Sequence, residues 1–594
     1  MIKGKNFWMT GAALVALTAT AQAAVPANGN VFAASPDVSV ADSAARLNPN
    51  SGYIQLAQNG GGNGGGSSLE DRVKALEDQV QANQDRASTD RTRLSTLEQG
   101  YNYAVWSYDN GRPVLATGDG RFSMGVRLRF QTDFAGFGQD STHPTGFAGP
   151  TDLSSGVVIR RAYFGVEGKV YNDFAYEFRL NGGGSDGGNN ATCTNPTITS
   201  TTTIAGAPGA TATTTSTAAG CAIGSIEPAG EGDPLVNKAV VTYTGIINVH
   251  FSVGVIEPSF MMEGSTSSKD LIWTERPELE NIAADSFGAG DSRRGVEFGW
   301  NRTDSFWAGD NTAIDIALTG GKTGSAATHG NGGDENVQLL GRAVDRFWSD
   351  GISNFQIGVD AAKAYYTGNT AGGGSQSLRF RDRPEIRVDG TRLIDTTAMA
   401  AKTGNMWAVD LEGNLQNFYL GGEYATFTAD RQCGSLSATN NALCTASTAV
   451  IDHPTFHAWD IGASWILTGE TRTYTPAGLA ETQAGFGAPV PSRPFSLYGG
   501  SWGAWELAAR YSDTNLNWMG SQTALTNTAG TSHLAGVLGG EERVVDLALN
   551  WYPNRNIRVM MDDMIVTVKK GTAAIPNRDG QDLNIVGVRV QFAN

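Results

Sequence analysis

One stretch, RFSMGVRLRFQTDF from Arg121 to Phe134, limits what this chain can fold into. Phe122, Met124, Val126, Leu128, Phe130, Thr132 and Phe134 share one parity, and Arg121, Ser123, Gly125, Arg127, Arg129, Gln131 and Asp133 share the other. A strand repeats every two residues, so one face is greasy and the other charged. Strands of soluble sandwiches run only about 5–6 residues. This alternation persists past the roughly 9–11 residues with which a tilted strand crosses a bilayer. No internal apolar run approaches the roughly 20 residues of a membrane helix. A transmembrane barrel fits, because its strands are apolar on alternate residues only. Hydrophobic residues at 40% and 76 glycines agree with that class.

The N-terminus predicts export. Lys3 and Lys5 precede FWMTGAALVALTATA, and Ala21-Gln22-Ala23 is a small-residue cleavage site, so 1–23 reads as a signal peptide. Residues 24–66 are low-complexity and end in GGGNGGG, a flexible linker. Across 67–99, Leu69, Val73, Leu76, Val80, Asn83, Ala87, Leu94 and Leu97 follow a heptad that Asp90 interrupts. Leu at a with Val at d favours trimers or tetramers over dimers, and Asn83 would fix register. A short coiled coil is expected there.

The barrel domain is expected over 118–594. Strands are read near 121–135, 157–170, 173–182, 235–245, 248–257, 291–301, 311–320, 336–346, 353–365, 404–412, 417–428, 455–468, 501–513, 542–552, 555–568 and 583–593. That makes about sixteen, an even number, as bacterial single-chain barrels require. Counting alternately, the long connections 138–156, 182–234, 258–290, 321–335, 366–403, 429–454, 514–541 and 569–582 fall at one end. Tight turns such as Tyr171-Asn172, Ile246-Ile247 and Pro553-Asn554 fall at the other. Long loops outside and short turns on the periplasmic side are what such barrels show, with 469–500 the one long exception.

The four cysteines form two local pairs, Cys193 with Cys221 and Cys433 with Cys444, expected to be loop-stapling disulfides in an oxidising compartment. No Cys/His grouping suggests a metal, and no cofactor is implied. A net charge of −16 argues against nucleic acid as a partner.

The stretches RRAYFGVEGKVYNDFAYEFRLNGG, GVIEPSFMMEGSTSSKDLIWTERPE, DSRRGVEFGW, SWILTGETRTY, GAWELAARYSD and ALNWYPNRNIRVMM resemble the phosphate-selective porin O and P family of Gram-negative outer membranes. The resemblance spans nearly all of 120–594. It implies a sixteen-stranded, homotrimeric barrel set in outer-membrane lipid and lipopolysaccharide that passes small solutes without energy input. It also implies that the third and fifth long loops, 258–290 and 366–403, fold into the lumen with a periplasmic segment, here 469–500. The terminus RVQFAN departs from the family habit, since Phe592 is not the last residue. The Thr-rich 182–234 is an unusually long insertion.

Arginine suits stepwise passage of an oxyanion, because its fork donates paired hydrogen bonds and never deprotonates. In SLRFRDRPEIRVDGTR, Arg379, Arg381 and Arg383 share a parity that Arg387 continues, about 6–7 Å apart if extended. The competing reading pairs them with Asp382 and Glu385 or with lipid phosphates. Further candidates are Lys269 with Arg293 and Arg294, and Arg127 and Arg129 opposite Arg161 and Arg179. Many wall positions on later strands are acidic, among them Asp360, Asp410, Glu423, Asp460, Glu506 and Asp546, so the wall alone selects no anion.

Enzyme motifs fail on context. Gly499-Gly500-Ser501-Trp502-Gly503 opens a strand rather than a strand–turn–helix elbow, and Gly320-Gly321-Lys322-Thr323 lacks the first P-loop glycine. The expected function is a passive channel for small solutes that prefers anions such as phosphate through arginines on inward-folded loops. The alternatives are a general or sugar-type porin, or a structural protein that contacts the cell wall through its coiled coil.

Overall fold

Alternating strands can leave no backbone group unpaired at membrane depth, so they must close on themselves. The computed structural model describes residues 69–102, 104–109, 111–139, 153–184, 197–203, 211–217, 236–322, 336–367, 377–433, 450–477, 484–520, 534–571 and 579–594. Every expected strand is present. They are β1 (Phe122–Gln139), β2 (Gly156–Val170), β3 (Phe174–Asn181), β4 (Val236–Ile246), β5 (Val249–Ile256), β6 (Arg293–Thr303), β7 (Asn311–Lys322) and β8 (Asn336–Ser349). The second half holds β9 (Asn354–Thr367), β10 (Ala401–Leu415), β11 (Phe418–Cys433), β12 (Thr455–Ile466), β13 (Ala504–Trp518), β14 (Val537–Tyr552), β15 (Ile557–Lys569) and β16 (Asp579–Ala593).

Each strand pairs antiparallel with its neighbours, and β16 closes on β1 from Leu583↔Gln139 to Ala593↔Arg129. The chain is a closed sixteen-stranded barrel. Asn594 carries the ladder past Phe592: its N–H donates to the Leu128 carbonyl (3.1 Å) and its side-chain oxygen accepts from the Leu128 N–H (2.7 Å).

Alternation sets the faces as the pattern predicts. On β1, Phe130 and Phe134 are exposed while Gln131 and Asp133 are fully buried. On β13, Leu507 faces out and Glu506 and Arg510 face in. Outward aromatics pair across strands: Phe418 stacks on Trp465 (5.5 Å) and the half-buried Trp505 on Trp551 (5.7 Å), with Trp459–Tyr511 (5.2 Å) farther along the strands. The β2–β3 connection is a three-residue turn between Val170 and Phe174, with Tyr171 and Asn172 in the left-handed region at φ 53° and 62°.

The sheet begins earlier than the expected boundary at 118. A hairpin, Ala104–Asp109 with Arg112–Thr117, pairs onto β1 through Val114↔Gly125, Leu115↔Met124 and Ala116↔Ser123. The reason lies in the closure. Because β16 stops opposite Arg129, the first residues of β1 have an open edge, and the hairpin covers part of it.

The expected coiled-coil segment lies in one continuous helix, α1 (Leu69–Asn102), whose heptad residues Val73, Leu76, Val80 and Leu94 are exposed. Within the Thr-rich insertion, Thr197–Thr203 pairs with Thr211–Thr217. The signal peptide, the linker and Cys193, Cys221 and Cys444 lie outside the described residues, as does the side chain of Cys433.

Candidate functional site

The barrel interior is largely filled by three of its own connections. The loop 258–290 turns inward after β5. It makes a helical turn, Met262–Ser265, and then helix α2 (Glu278–Phe287), both mostly buried. Pro277 precedes the helix, and Gly288 at φ 75° ends it, donating its N–H back to the Ala284 carbonyl. Leu279, Ile282, Ala283 and Phe287 pack into an apolar cluster shared with Phe380 of the loop 366–403 and with Phe427 and Phe456 of the wall. Phe380 sits 6.1 Å from Phe287, 5.7 Å from Phe427 and 5.6 Å from Phe456. The segment 469–500 enters from the opposite end. There Phe486 meets both Tyr419 and Tyr474 edge-to-face, each at 5.4 Å, and Arg472 donates to Glu506 (2.8 Å). The described parts of 258–290 and 366–403 therefore fold into the lumen, together with the part of 469–500 around Arg472, Tyr474 and Phe486, while 492–500 is exposed.

Polar hooks on the later strands hold the first of these loops. Asp360 accepts from the Met261 N–H (3.0 Å), Glu423 from the Met262 N–H (3.0 Å) and Asp562 from the Thr274 N–H (2.7 Å). Arg510 donates to Glu263 (3.0 Å) and to the Glu275 carbonyl (2.9 Å), and its guanidinium covers the Trp273 ring at 4.5 Å. Arg558 and Asn550 both donate to the Ile272 carbonyl, at 3.0 and 2.9 Å. This explains the acidic later strands. Several of their carboxylates bind loop backbone instead of lining a passage.

On the side of β1–β4, wall and loop face each other across a cleft lined by Arg127, Arg129, Arg161, Arg179, Lys238, Arg276 and Arg387, with Tyr163, Ser267 and Ser268. Arg127 pairs with Glu167 (2.8 Å) and Glu177 (3.1 Å), and Lys238 with Glu177 (3.0 Å). Arg129 differs. It donates to the hydroxyls of Ser267 (2.9 Å) and Ser268 and lies over the Tyr163 ring at 5.3 Å, with no carboxylate in ion-pair range among the described residues. Arg179 covers the same ring at 4.8 Å.

Glu275 organises one wall of this cleft. It meets Arg160 and Arg589 at 2.7 Å, Arg161 at 3.5 Å and Arg387 at 3.6 Å. Burial alone would push its carboxyl up. Arg160, then Arg161, Arg589 and Arg387, outweigh burial and hold it well below the usual carboxylate range.

The expected file of arginines on 366–403 is not formed. Around the arginines, Arg381-Asp382 pairs with Ile394-Asp395 in a two-residue ladder, and the chain bends at Pro384, which cannot donate to a continuing ladder. Arg379 pairs with Asp395 (2.8 Å), Arg383 is buried with its Nε 3.9 Å from Asp382, and only Arg387 reaches the cleft. Lys269 pairs with its neighbour Asp270 (2.9 Å). Arg293 donates to the Ala284 carbonyl (2.8 Å), holding the end of α2, while Arg294 sits in the β5–β6 ladder opposite Val255.

Sequence reasoning missed Arg160. The doublet Arg160-Arg161 should straddle the wall, but a register shift at Gln131/Thr132 turns both side chains inward. A bulge of this kind leaves no mark in the alternation until the partner strand is known.

Two loop carboxyls bear on pH. Burial pushes Glu280 up to about 8, although Arg276 and the Gly264 N–H (2.6 Å) oppose it. Burial likewise pushes Asp382 up to about 8 against Arg387 and Arg392. Both are neutral acids near pH 7. Their folded values lie above the ordinary 4.5 and 3.8, so their stabilisation is full below those values and lost as pH rises through about 8. Hydrogen exchange across 258–290 should therefore quicken between pH 7 and 9 beyond its intrinsic rise, with the wall unchanged. Equal protection at pH 9 would refute this.

A family model described as phosphate-selective porin O and P matches residues 124–593. No curated protein matches the chain. Three solved structures are among those similar to it. OmpT of Vibrio cholerae is 8% identical, covering 80% of this chain and 98% of its own, with a TM-score of 0.37. The outer membrane channel DcaP of Acinetobacter baumannii is 10% identical, covering 80% and 97%, at 0.36. An anion-selective porin from Comamonas acidovorans is 11% identical, covering 80% and 100%, at 0.38.

Proposed function

The chain belongs to the phosphate-selective porin O and P family, non-enzymatic diffusion channels of the Gram-negative outer membrane, and from that premise we propose that its passage prefers small oxyanions such as phosphate. The observation that carries this reading is Arg129. It is buried in the narrow cleft, held by two hydroxyls, and no described carboxylate neutralises it. Ser267 and Ser268 accept from the guanidinium, so each keeps its own O–H to donate to a passing oxyanion. Arg127, Arg161, Arg179, Lys238, Arg276 and Arg387 extend the positive lining on either side, each with a charge or dipole already balancing part of it. An anion would exchange partial hydration for successive charge-assisted hydrogen bonds, none strong enough alone to trap it. Cations meet the same field with the opposite sign.

Assembly as a homotrimer is part of the same reading. The heptad of α1 presents Val73, Leu76, Val80 and Leu94 with no partner in one chain among the described residues, and a bundle of copies would bury them. The decisive measurement is the zero-current potential across a salt gradient in a planar bilayer. Its sign should report anion preference, and a cation-selective or neutral reversal would overturn the reading.

A further inference from the structure

The hairpin that covers the edge of β1 also reaches the lumen. Its strands, Ala104–Asp109 and Arg112–Thr117, meet across the sequence Asn110-Gly111, with Gly111 at φ 86°. An Asn-Gly pair favours a two-residue hairpin turn, because such a turn needs positive φ. A second turn ties the hairpin to the wall. The Gly120 N–H donates to the Thr117 carbonyl (2.9 Å), and the Phe122 N–H donates to the Thr117 hydroxyl (3.2 Å). Val114 stands opposite Gly125, an inward position, so Arg112 of the same parity also faces in. The hairpin precedes the residues 124–593 that the family model matches.

Arg112 crosses the space that Gly125 leaves open. A Cβ at Gly125 would stand 3.8 Å from the guanidinium carbon of Arg112, so a longer side chain there would take the guanidinium's place. Beyond it lies Glu167, the β2 partner of Gly125. One carboxylate oxygen of Glu167 accepts from Arg112, and the other meets Arg127 at 2.8 Å. Hairpin and cleft thus share one wall carboxylate.

These groups line a cavity of about 410 Å³ at the short-turn end of the barrel, the periplasmic side in such proteins. It is continuous with the cleft through Arg127, Val240 and Thr242, which line both. Its charged lining is Arg112, Arg127 and Lys169 against Glu167 and Glu177. Lys169 is exposed, with no carboxylate in ion-pair range among the described residues.

We propose that Arg112 is a specificity-determining residue at the periplasmic mouth, where it completes a second subsite for small oxyanions beyond the cleft. Its charge tips the mouth to net positive. By holding one oxygen of Glu167 it also leaves Arg127 part of its own charge for the cleft above. Without Arg112, two cations would face two carboxylates, and Glu167 would turn wholly to Arg127. The inference rests on the anion reading above and adds a residue that the hairpin, not the barrel, supplies.

The test compares zero-current potentials of full-length variants in planar bilayers, with potassium phosphate as the salt. Arg112→Gln should lower the anion-to-cation permeability ratio roughly 2- to 5-fold in dilute salt, a modest factor because the pair is partly exposed. The shift should fade in about 1 M salt, where the Debye length is about 3 Å. Arg112→Gln combined with Glu167→Gln should restore the ratio, since both charges are then gone. An unshifted single variant would overturn the inference, because Arg112 would then carry no field into the channel. So would a double variant as low as the single one, because the loss would then come from a displaced hairpin. Glu167→Gln alone keeps the hairpin's arginine and should raise the ratio, which carries the test even if Arg112→Gln folds poorly; an equal or lower ratio would count against the inference. The unsubstituted chain separates the two failures. A neutral or cation-selective potential there sinks the anion reading, whereas the shifts among variants test Arg112 from any starting value.

Discussion

Replacing Arg510 by methionine is expected to open the channel without unfolding the barrel. Arg510 is almost wholly buried, and its guanidinium serves Glu263, Glu385 and the Glu275 carbonyl while covering Trp273. Two separate loops therefore depend on one cation. Removing one partner of a buried pair costs about 3–5 kcal/mol, because the other charge stays buried without compensation. That cost falls on the loops. The wall's ladder β12–β13–β14 uses backbone groups that the substitution does not touch. The loops 258–290 and 366–403 should detach from the wall, raising single-channel conductance and exposing both to protease, while the heat-stable barrel persists. Unchanged conductance together with full protease protection would show that the apolar cluster around Phe380 suffices.

The second large effect is on selectivity. Arg129→Gln keeps an amide that can reach Ser267 and Ser268 but removes the charge that no described carboxylate balances. Charge-assisted hydrogen bonds in a partly desolvated site are worth about 1–3 kcal/mol, so anion binding should weaken roughly 5- to 150-fold. The zero-current potential should move toward cations. Arg379→Gln is the natural control, because that side chain is exposed and already paired with Asp395. It should leave the potential in place. Equal shifts in the two variants would mean that bulk charge, and not the cleft, sets the preference.

The contrast between Arg129 and Arg379 shows how far the residues alone could lead. The opening strand named Arg127 and Arg129 correctly as inward, because a period of two assigns faces without any knowledge of neighbours. It could not rank them above the denser cluster at 379–387. Density looked like a ladder, yet Pro384 bends that segment, and Glu385 accepts hydrogen bonds from Arg510 and Ser512 (2.6 Å). Arg379 is neutralised by Asp395, sixteen residues on, while Arg129 is held by hydroxyls more than a hundred residues away, and spacing alone carries no trace of which contact forms.

The acidic later strands make the same point. From the sequence they meant that the wall alone selects no anion. In the fold, Asp360, Glu423 and Asp562 accept backbone N–H groups of 258–290 and lie beneath it. Their charge reads as lumen wall only while the loop's position is unknown.

By itself, then, the sequence determined the barrel: strand number, the two faces of each strand, and the end at which the long loops gather. These follow from local alternation and turn chemistry, with the family's pattern naming the inward loops, and closure is forced once every backbone group must pair. The tertiary structure alone decided which charges remain available. The Arg160-Arg161 bulge, the hairpin on the edge of β1, the Glu275 hub and the hydroxyl-held Arg129 each depend on register or on contacts between distant segments. The effect of a charge depends on what lies within a few ångströms of it, and only the folded chain sets those distances.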